Sequence, residues 1–276
     1  MRKLRFEYSM ELKFSSPVSS HYFALRCVPG DSLRQKIMLS ECRVSPADYT
    51  SAGQDGFGNL KISGCCAGPH DSFGYSIAGE ALVQGMTVQK GSLHPMYRYP
   101  SKYTEFEPEV RKFGEAVTEA CRREKAESVK EKAVCTMNWL YTHFSYAPGV
   151  TDIGTTAAQA LRLGKGVCQD YAHIMTAAMR YMGIPARYVN GMMIGEGSTH
   201  AWVEIYTDGG WYGLDPINNL HIDDYYIKLA HGRDYADCVV DKGVFLGGAS
   251  QEQKIYVNVE EIRNGRDSNI NGTAGR

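Results

Sequence analysis

Apolar and polar residues alternate with the period of a β-strand through much of the first hundred positions. Tyr22-Phe23-Ala24-Leu25-Arg26-Cys27-Val28 is one such run and ends at the turn signal Pro29-Gly30-Asp31. Lys36-Ile37-Met38-Leu39-Ser40 begins another, and Phe73, Tyr75, Ile77, Gly79, Ala81 and Val83 alternate with small or polar residues. Asp55-Gly56-Phe57-Gly58-Asn59, rich in turn formers, separates strands. Antiparallel strands with short turns and no helical period predict a small all-β sandwich over residues 1–100.

The period changes after Pro95 and Pro100. Val110, Phe113, Ala116, Val117 and Ala120 recur at helical spacing, behind Pro108 at a first-turn position with Glu107 and Glu109 beside it. Ser128 and Glu131 form a capping box for a second helix, whose apolar stripe runs from Ala133 to Phe144 and is broken by Pro148-Gly149. Thr155 or Thr156 caps a short helix from Ala157 to Leu163, ended by Gly164. A longer helix runs from Cys168 to about Met182. Strands follow at 186–191, 200–207 and 211–214, then a loop-rich stretch and a last strand at 254–259. Helices before strands predict an α+β unit over 101–263, with helices packed on one antiparallel sheet. The Gly-rich polar segment 264–276 reads as a flexible tail.

Composition narrows the function. With 276 residues and 43% hydrophobic content the chain can bury a sizeable core. A formal net charge of -1 gives no electrostatic case for nucleic acid or an anionic membrane as partner. Glu7, Ser9, Glu11 and Lys13 interrupt the N-terminal segment, which therefore lacks the apolar stretch of a signal peptide. The eight scattered Cys then read as reduced thiols of a cytoplasmic protein. Adjacent Cys65 and Cys66 with His70 offer three ligands where a structural zinc takes four, so no metal is expected there.

Three residues carry chemistry by their placement. Cys168 follows Gly164-Lys165-Gly166 and opens a helix, where free N–H groups and the helix dipole favour the reactive thiolate and can stabilise an oxyanion. His200 begins a strand and can move a proton to and from the thiol. Asp215 ends the next strand, joined to the first by the hairpin signal Asp208-Gly209-Gly210. The carboxylate is thereby predicted to lie near the imidazole and orient it. Taken singly, each has a plainer role: a buried thiol, a structural histidine, an Asp-Pro turn starter. Asp170 reads as a first-turn acid, and His173, one turn beyond Cys168, is a rival base that lacks an orienting carboxylate. Gln169 and Tyr171 are candidates for the cleft wall, and Gln159, Trp139 and Tyr146 for a second oxyanion donor. Trp202 and Trp211 read as packing residues, and Arg233 with Asp234 as a structural ion pair.

The blocks Gly166-Val167-Cys168-Gln169-Asp170-Tyr171-Ala172-His173, Gly183-Ile184-Pro185-Ala186-Arg187-Tyr188-Val189-Asn190-Gly191, Thr199-His200-Ala201-Trp202-Val203-Glu204 and Trp211-Tyr212-Gly213-Leu214-Asp215-Pro216 resemble the core of the transglutaminase-like superfamily. The β-rich part, with Asp55-Gly56-Phe57-Gly58-Asn59 and Pro69-His70-Asp71, resembles the N-terminal domain of its bacterial branch, as does Gly232-Arg233-Asp234-Tyr235-Ala236-Asp237. The resemblance implies a papain-like fold and a Cys168-His200-Asp215 acyl-transfer site acting on a peptide or protein. A thioester on Cys168 would be hydrolysed, as in a peptidase or amidase. The alternatives are amine incorporation or cross-linking at glutamine, and a non-catalytic module that binds peptides. No cofactor or metal is implied: the Asp/Glu-rich calcium loops of the animal cross-linking enzymes have no counterpart near these residues, Asp223-Asp224 being too small a cluster.

Overall fold

A computed structural model describes residues 1–85 and 88–262. The tail expected at 264–276 lies outside the described residues. The first strands are β1 (Arg2–Leu25), β2 (Gln35–Ser45), β3 (Tyr49–Gln54), β4 (Leu60–Cys66), β5 (His70–Val83) and β6 (Gln89–Lys90). Next come α1 (Pro108–Arg123), α2 (Val129–His143), β7 (Ser145–Tyr146), α3 (Ala157–Leu163), β8 (Lys165–Gly166) and α4 (Cys168–Tyr181). The chain continues through β9 (Ala186–Met193), β10 (Gly195–Gly197), β11 (His200–Thr207), β12 (Gly210–Asp215), β13 (Leu220–His221), β14 (Tyr226–Gly232), β15 (Asp241–Leu246) and β16 (Gln251–Glu261). The fold is α+β.

The helices begin where side chains satisfy their free N–H groups. In α2 the Glu131 N–H donates to Ser128 Oγ at 3.2 Å, and the Glu131 carboxylate accepts from the Ser128 N–H at 2.8 Å. Thr156, rather than Thr155, caps α3, with Gln159 returning the bond. Helix α4 is the hub. It lies among α1, α2 and α3 and against β9 and β11, and residues 170–180 are all buried. The sheet beneath it runs β13-β12-β11-β9-β14, with β6 on β12. The strand period of β11 divides its residues. Ala201, Val203 and Ile205 enter the helical core, while Trp202 joins Val189, Ile222 and Tyr226 in a separate cluster. Buried Glu204 is held by Arg187 and Lys228, whose Nζ is 2.7 Å away.

The N-terminal strands form a curled eight-stranded antiparallel sheet organised on β1. The first half of β1 pairs with β5 and β16, the second with β4 and β15, and the register on β5 shifts between Lys13 and Val18. One strand thus serves two layers, which meet at Phe23 and Phe73 with ring centroids 4.8 Å apart. Leu4, Phe6, Tyr8 and Met10 are buried between more exposed neighbours. The polar residues that interrupt this segment are therefore the outer face of a strand that begins at Arg2, well before the expected Tyr22. The chain division also differs from the one expected. Residues 241–261, placed with 101–263 on chain order, return as β15 and β16 to pair with β1. The two edges of β1 need partners, and chain order does not say where these come from.

Two side-chain amides tie this sheet to β14, the edge of the other one. Gln35 donates to the Lys228 carbonyl and accepts from its N–H, both at 2.8 Å. Asn59 does the same at His231, both at 2.9 Å. Asp55 holds Asn59 in place by accepting its N–H and its side-chain amide, and is itself fixed by Arg26 at 2.7 Å. Gln35→Ala and Asn59→Ala each leave buried main-chain groups unpaired. Each is expected to lower unfolding free energy by about 1–3 kcal/mol in urea titrations. A change indistinguishable from zero in both would show that the amides do not join the sheets.

Candidate active site

Cys168 is the first residue of α4. The segment entering it is fixed by parallel pairing of β7 and β8, which sets Tyr146 opposite Gly166. Asp170 Oδ2 then accepts the Val167 N–H and the Thr151 hydroxyl, both at 2.7 Å. Asp170 is buried, and burial raises the pKa of its carboxyl. Gly166 makes room for it: a Cβ there would sit 2.3 Å from Asp170 Oδ2. Asp170 is thus a helix-start residue that holds the turn before Cys168.

His200 opens β11 and Asp215 ends β12, and pairing of Val203 with Leu214 and Thr207 with Gly210 brings the two to the same end of the sheet. His200 Nε2 lies 2.7 Å from Asp215 Oδ2. That oxygen also accepts from Asn218 Nδ2 at 2.8 Å and from the Tyr226 hydroxyl at 2.9 Å. Its partner Oδ1 accepts the N–H groups of Ile217 at 3.2 Å and Asn218 at 3.3 Å. Asp215 is 0% exposed. Burial alone would raise its pKa, but the hydrogen bond and charge of His200, with Asn218 and Tyr226, hold it below the usual carboxylate value. The Asp-Pro turn and the imidazole partner are therefore one residue using two oxygens.

The same competition acts on His200. Burial would lower its pKa, whereas the hydrogen bond and negative charge of Asp215, with Cys168 close by, raise it to about 10. With Nε2 committed to Asp215, Nδ1 is the nitrogen left for the Cys168 side. Thiol and imidazole open into a cleft of about 880 Å³. Tyr141, Phe144, Tyr146 and Tyr171 line one side of it, Met193–Thr199 another, and Ile217 and Asn218 its end near Asp215.

The other sequence candidates separate cleanly. His173 is buried, stacked on Tyr103 at 5.2 Å, and accepts the Tyr235 N–H; burial lowers its pKa to about 3. It is a neutral packing residue. Tyr171 lines the cleft, while Gln169 turns its amide to the Ile153 carbonyl. Trp139 stacks on His143 at 3.9 Å and Gln159 caps α3, so of the three oxyanion candidates Tyr146 is the one at the cleft. Trp202 packs between His200 and Tyr226, and Trp211 under the Arg187 guanidinium. Arg233 pairs with Asp237 and not Asp234, which instead accepts the Tyr103 and Ala236 N–H groups. Asn218 and Tyr226 were not among the sequence candidates. Asn218 follows the Asp-Pro turn closely enough to be suspected, but nothing in the residues near Tyr226 points to Asp215.

A helix-borne thiol facing an imidazole and a carboxylate on paired strands, in an α+β frame, defines a papain-like thiol fold. More specifically, the chain belongs to the transglutaminase-like superfamily. The model of the "Transglutaminase-like superfamily" core matches residues 115–216, and that of the "Bacterial transglutaminase-like N-terminal region" matches residues 4–82. An uncharacterized protein of Mycobacterium leprae is 26% identical, over 95% of this chain and 100% of its own length. One of Mycobacterium tuberculosis is 29% identical, over 94% of this chain and 92% of its own. A solved structure from Cytophaga hutchinsonii, described as a "putative cysteine protease", shares the fold with a TM-score of 0.77. It is 22% identical and the match covers 95% of this chain and 91% of that one.

The raised pKa of His200 has a consequence for stability. The folded state holds a proton there up to about pH 10, an unfolded chain only to about 6.5. This contribution is complete below pH 6.5 and is lost as pH rises through about 10. The stability difference between wild type and His200→Gln should therefore shrink from pH 6 to pH 10 in denaturant titrations; a constant difference would contradict it. Asp215→Asn should lower the imidazole pKa, read by NMR of the ring nitrogens.

Proposed function

We propose that this protein is a cysteine-dependent acyl-transfer enzyme that forms a thioester on Cys168 and hydrolyses it, as a peptidase or amidase. The observation carrying this reading is the position of His200, held by a buried carboxylate on one side and facing the thiol on the other, at an open cleft. The thiolate of Cys168, beside the imidazolium of His200, attacks the carbonyl carbon of a peptide or carboxamide. Negative charge on the carbonyl oxygen is met by the Cys168 N–H at the start of α4, with the Tyr146 hydroxyl as the second donor. As the tetrahedral species collapses, the carbon–nitrogen bond breaks and the His200 imidazolium protonates the leaving amine. His200 then takes a proton from water, which adds to the thioester carbon and releases the acid and the thiol. Asp215 orients the ring throughout and stabilises its cationic form.

The eight cysteines are all unpaired, which supports a reducing compartment such as the cytoplasm as the place of action. Among the described residues no helix is long and apolar enough to cross a membrane.

A peptide-library digest comparing wild type with Cys168→Ala tests the reading. Products present with wild type and absent with the variant are expected, and an identical pattern would remove Cys168 as the nucleophile. Incubation with a glutamine peptide and a labelled primary amine tests the second step. Free acid without label on the peptide is expected; stable incorporation of the amine would assign transamidation instead.

Tyr226→Phe and Asn218→Ala each remove one donor from Asp215 without touching the thiol. Each should lower kcat/KM on a substrate found in that digest by about 10- to 100-fold, the equivalent of one hydrogen bond to a charged group. Rates equal to wild type would mean that the remaining donors suffice to hold the carboxylate.

A further inference from the structure

Strand β10 ends the curled sheet at the cleft. On one edge it pairs with β16, Gly195 opposite Val259 and Gly197 opposite Val257. On its other edge no strand among the described residues is paired with it. Residues 195–198 are exposed, line the cleft, and lead within three positions to His200. An unpaired edge displays main-chain donors and acceptors that bind an extended chain. Gly195 adds a second, independent feature. Its φ of 112° suits glycine, and the space a Cβ would occupy has no atom within 4 Å, so another backbone can come close.

We infer that the substrate of this site is an extended polypeptide segment that adds as a strand to the free edge of β10, held by main-chain hydrogen bonds beside Cys168. The inference rests on the acyl-transfer reading and narrows it. A substrate held this way offers a main-chain carbonyl in an unfolded or extended stretch, with recognition more tolerant of side chains than of backbone conformation.

Alkylation of Cys168 tests it in the full chain without a known substrate. Acetyl-Ala-Ala-Ala chloromethyl ketone is compared with three congeners, each N-methylated at one alanine, and iodoacetamide serves as the small reagent. In each reaction with a chloromethyl ketone the Cys168 thiolate forms a sulfur–methylene bond as chloride leaves, and the His200 imidazolium keeps its proton. Rates at Cys168 are read by peptide mapping. In a strand only alternate residues turn their N–H toward a given neighbour. N-methylation should therefore slow alkylation by about tenfold at one position or at two alternate ones, and little at the position between or beside them. Equal rates for all four peptides, or equal slowing at every position, would overturn strand addition while leaving the acyl-transfer reading standing if iodoacetamide modifies Cys168 ahead of the other thiols. Failure of iodoacetamide to select Cys168 would instead remove that reading and this one with it.

Discussion

A carboxylate shut away from water must find its hydrogen bonds within the protein, and Asp215 finds five. They come from β11, from the turn after Pro216 and from β14. The most consequential is His200, because satisfying the carboxylate fixes the plane of the ring and leaves one nitrogen toward Cys168. Helix α4 makes the complementary arrangement from the other side. Asp170 closes the turn ahead of Cys168, and Gly166 leaves room for that carboxyl. Two buried acids thus fix the segments that bring Cys168 and His200 to one cleft.

The N-terminal sheet is part of this arrangement. Gln35 grips β14 at Lys228, two residues from Tyr226, and Tyr226 reaches Asp215. On the opposite edge β16 carries β10, which lines the cleft. The second sheet therefore bears on the reacting groups twice, through a donor to the carboxylate and through a stretch of wall. The charged cluster of Glu204, Arg187 and Lys228 lies on the sheet face away from the helices, its ions paired at close range. Such a cluster adds little net stability compared with apolar packing, but a mismatched partner would leave a buried charge, so it favours one docking of the elements.

Much of this was legible in the sequence because the information is local. The capping box at Ser128 is a four-residue pattern, the cap of α3 narrows to Thr155 or Thr156, and Cys168 at a helix start is marked by the glycines before it. His200 and Asp215 could be placed together because a hairpin relates them by register alone. What escaped was long-range. Arg2–Leu25 reads as broken pieces since one strand changes partners midway and its outer face is charged. Strand β14 reads as loop in the sequence, as an edge strand held by side-chain amides needs no strong pattern of its own. Tyr226 belongs to that strand, so its part in the site could not be seen before the strand itself. Asp55-Gly56-Phe57-Gly58-Asn59 was correctly a turn, yet its purpose, aiming Asn59 at His231, depends on a partner 172 positions away.

The place of β16 has a consequence for how the molecule comes to be. One edge of β10 is stitched to residues 257–259, so this wall of the cleft cannot assemble until those residues have left the ribosome. The helix bearing Cys168 emerges about ninety residues earlier and waits. A chain ordered this way has an unfinished groove until β16 emerges, while unfolded nascent polypeptide, including its own, is closest at hand.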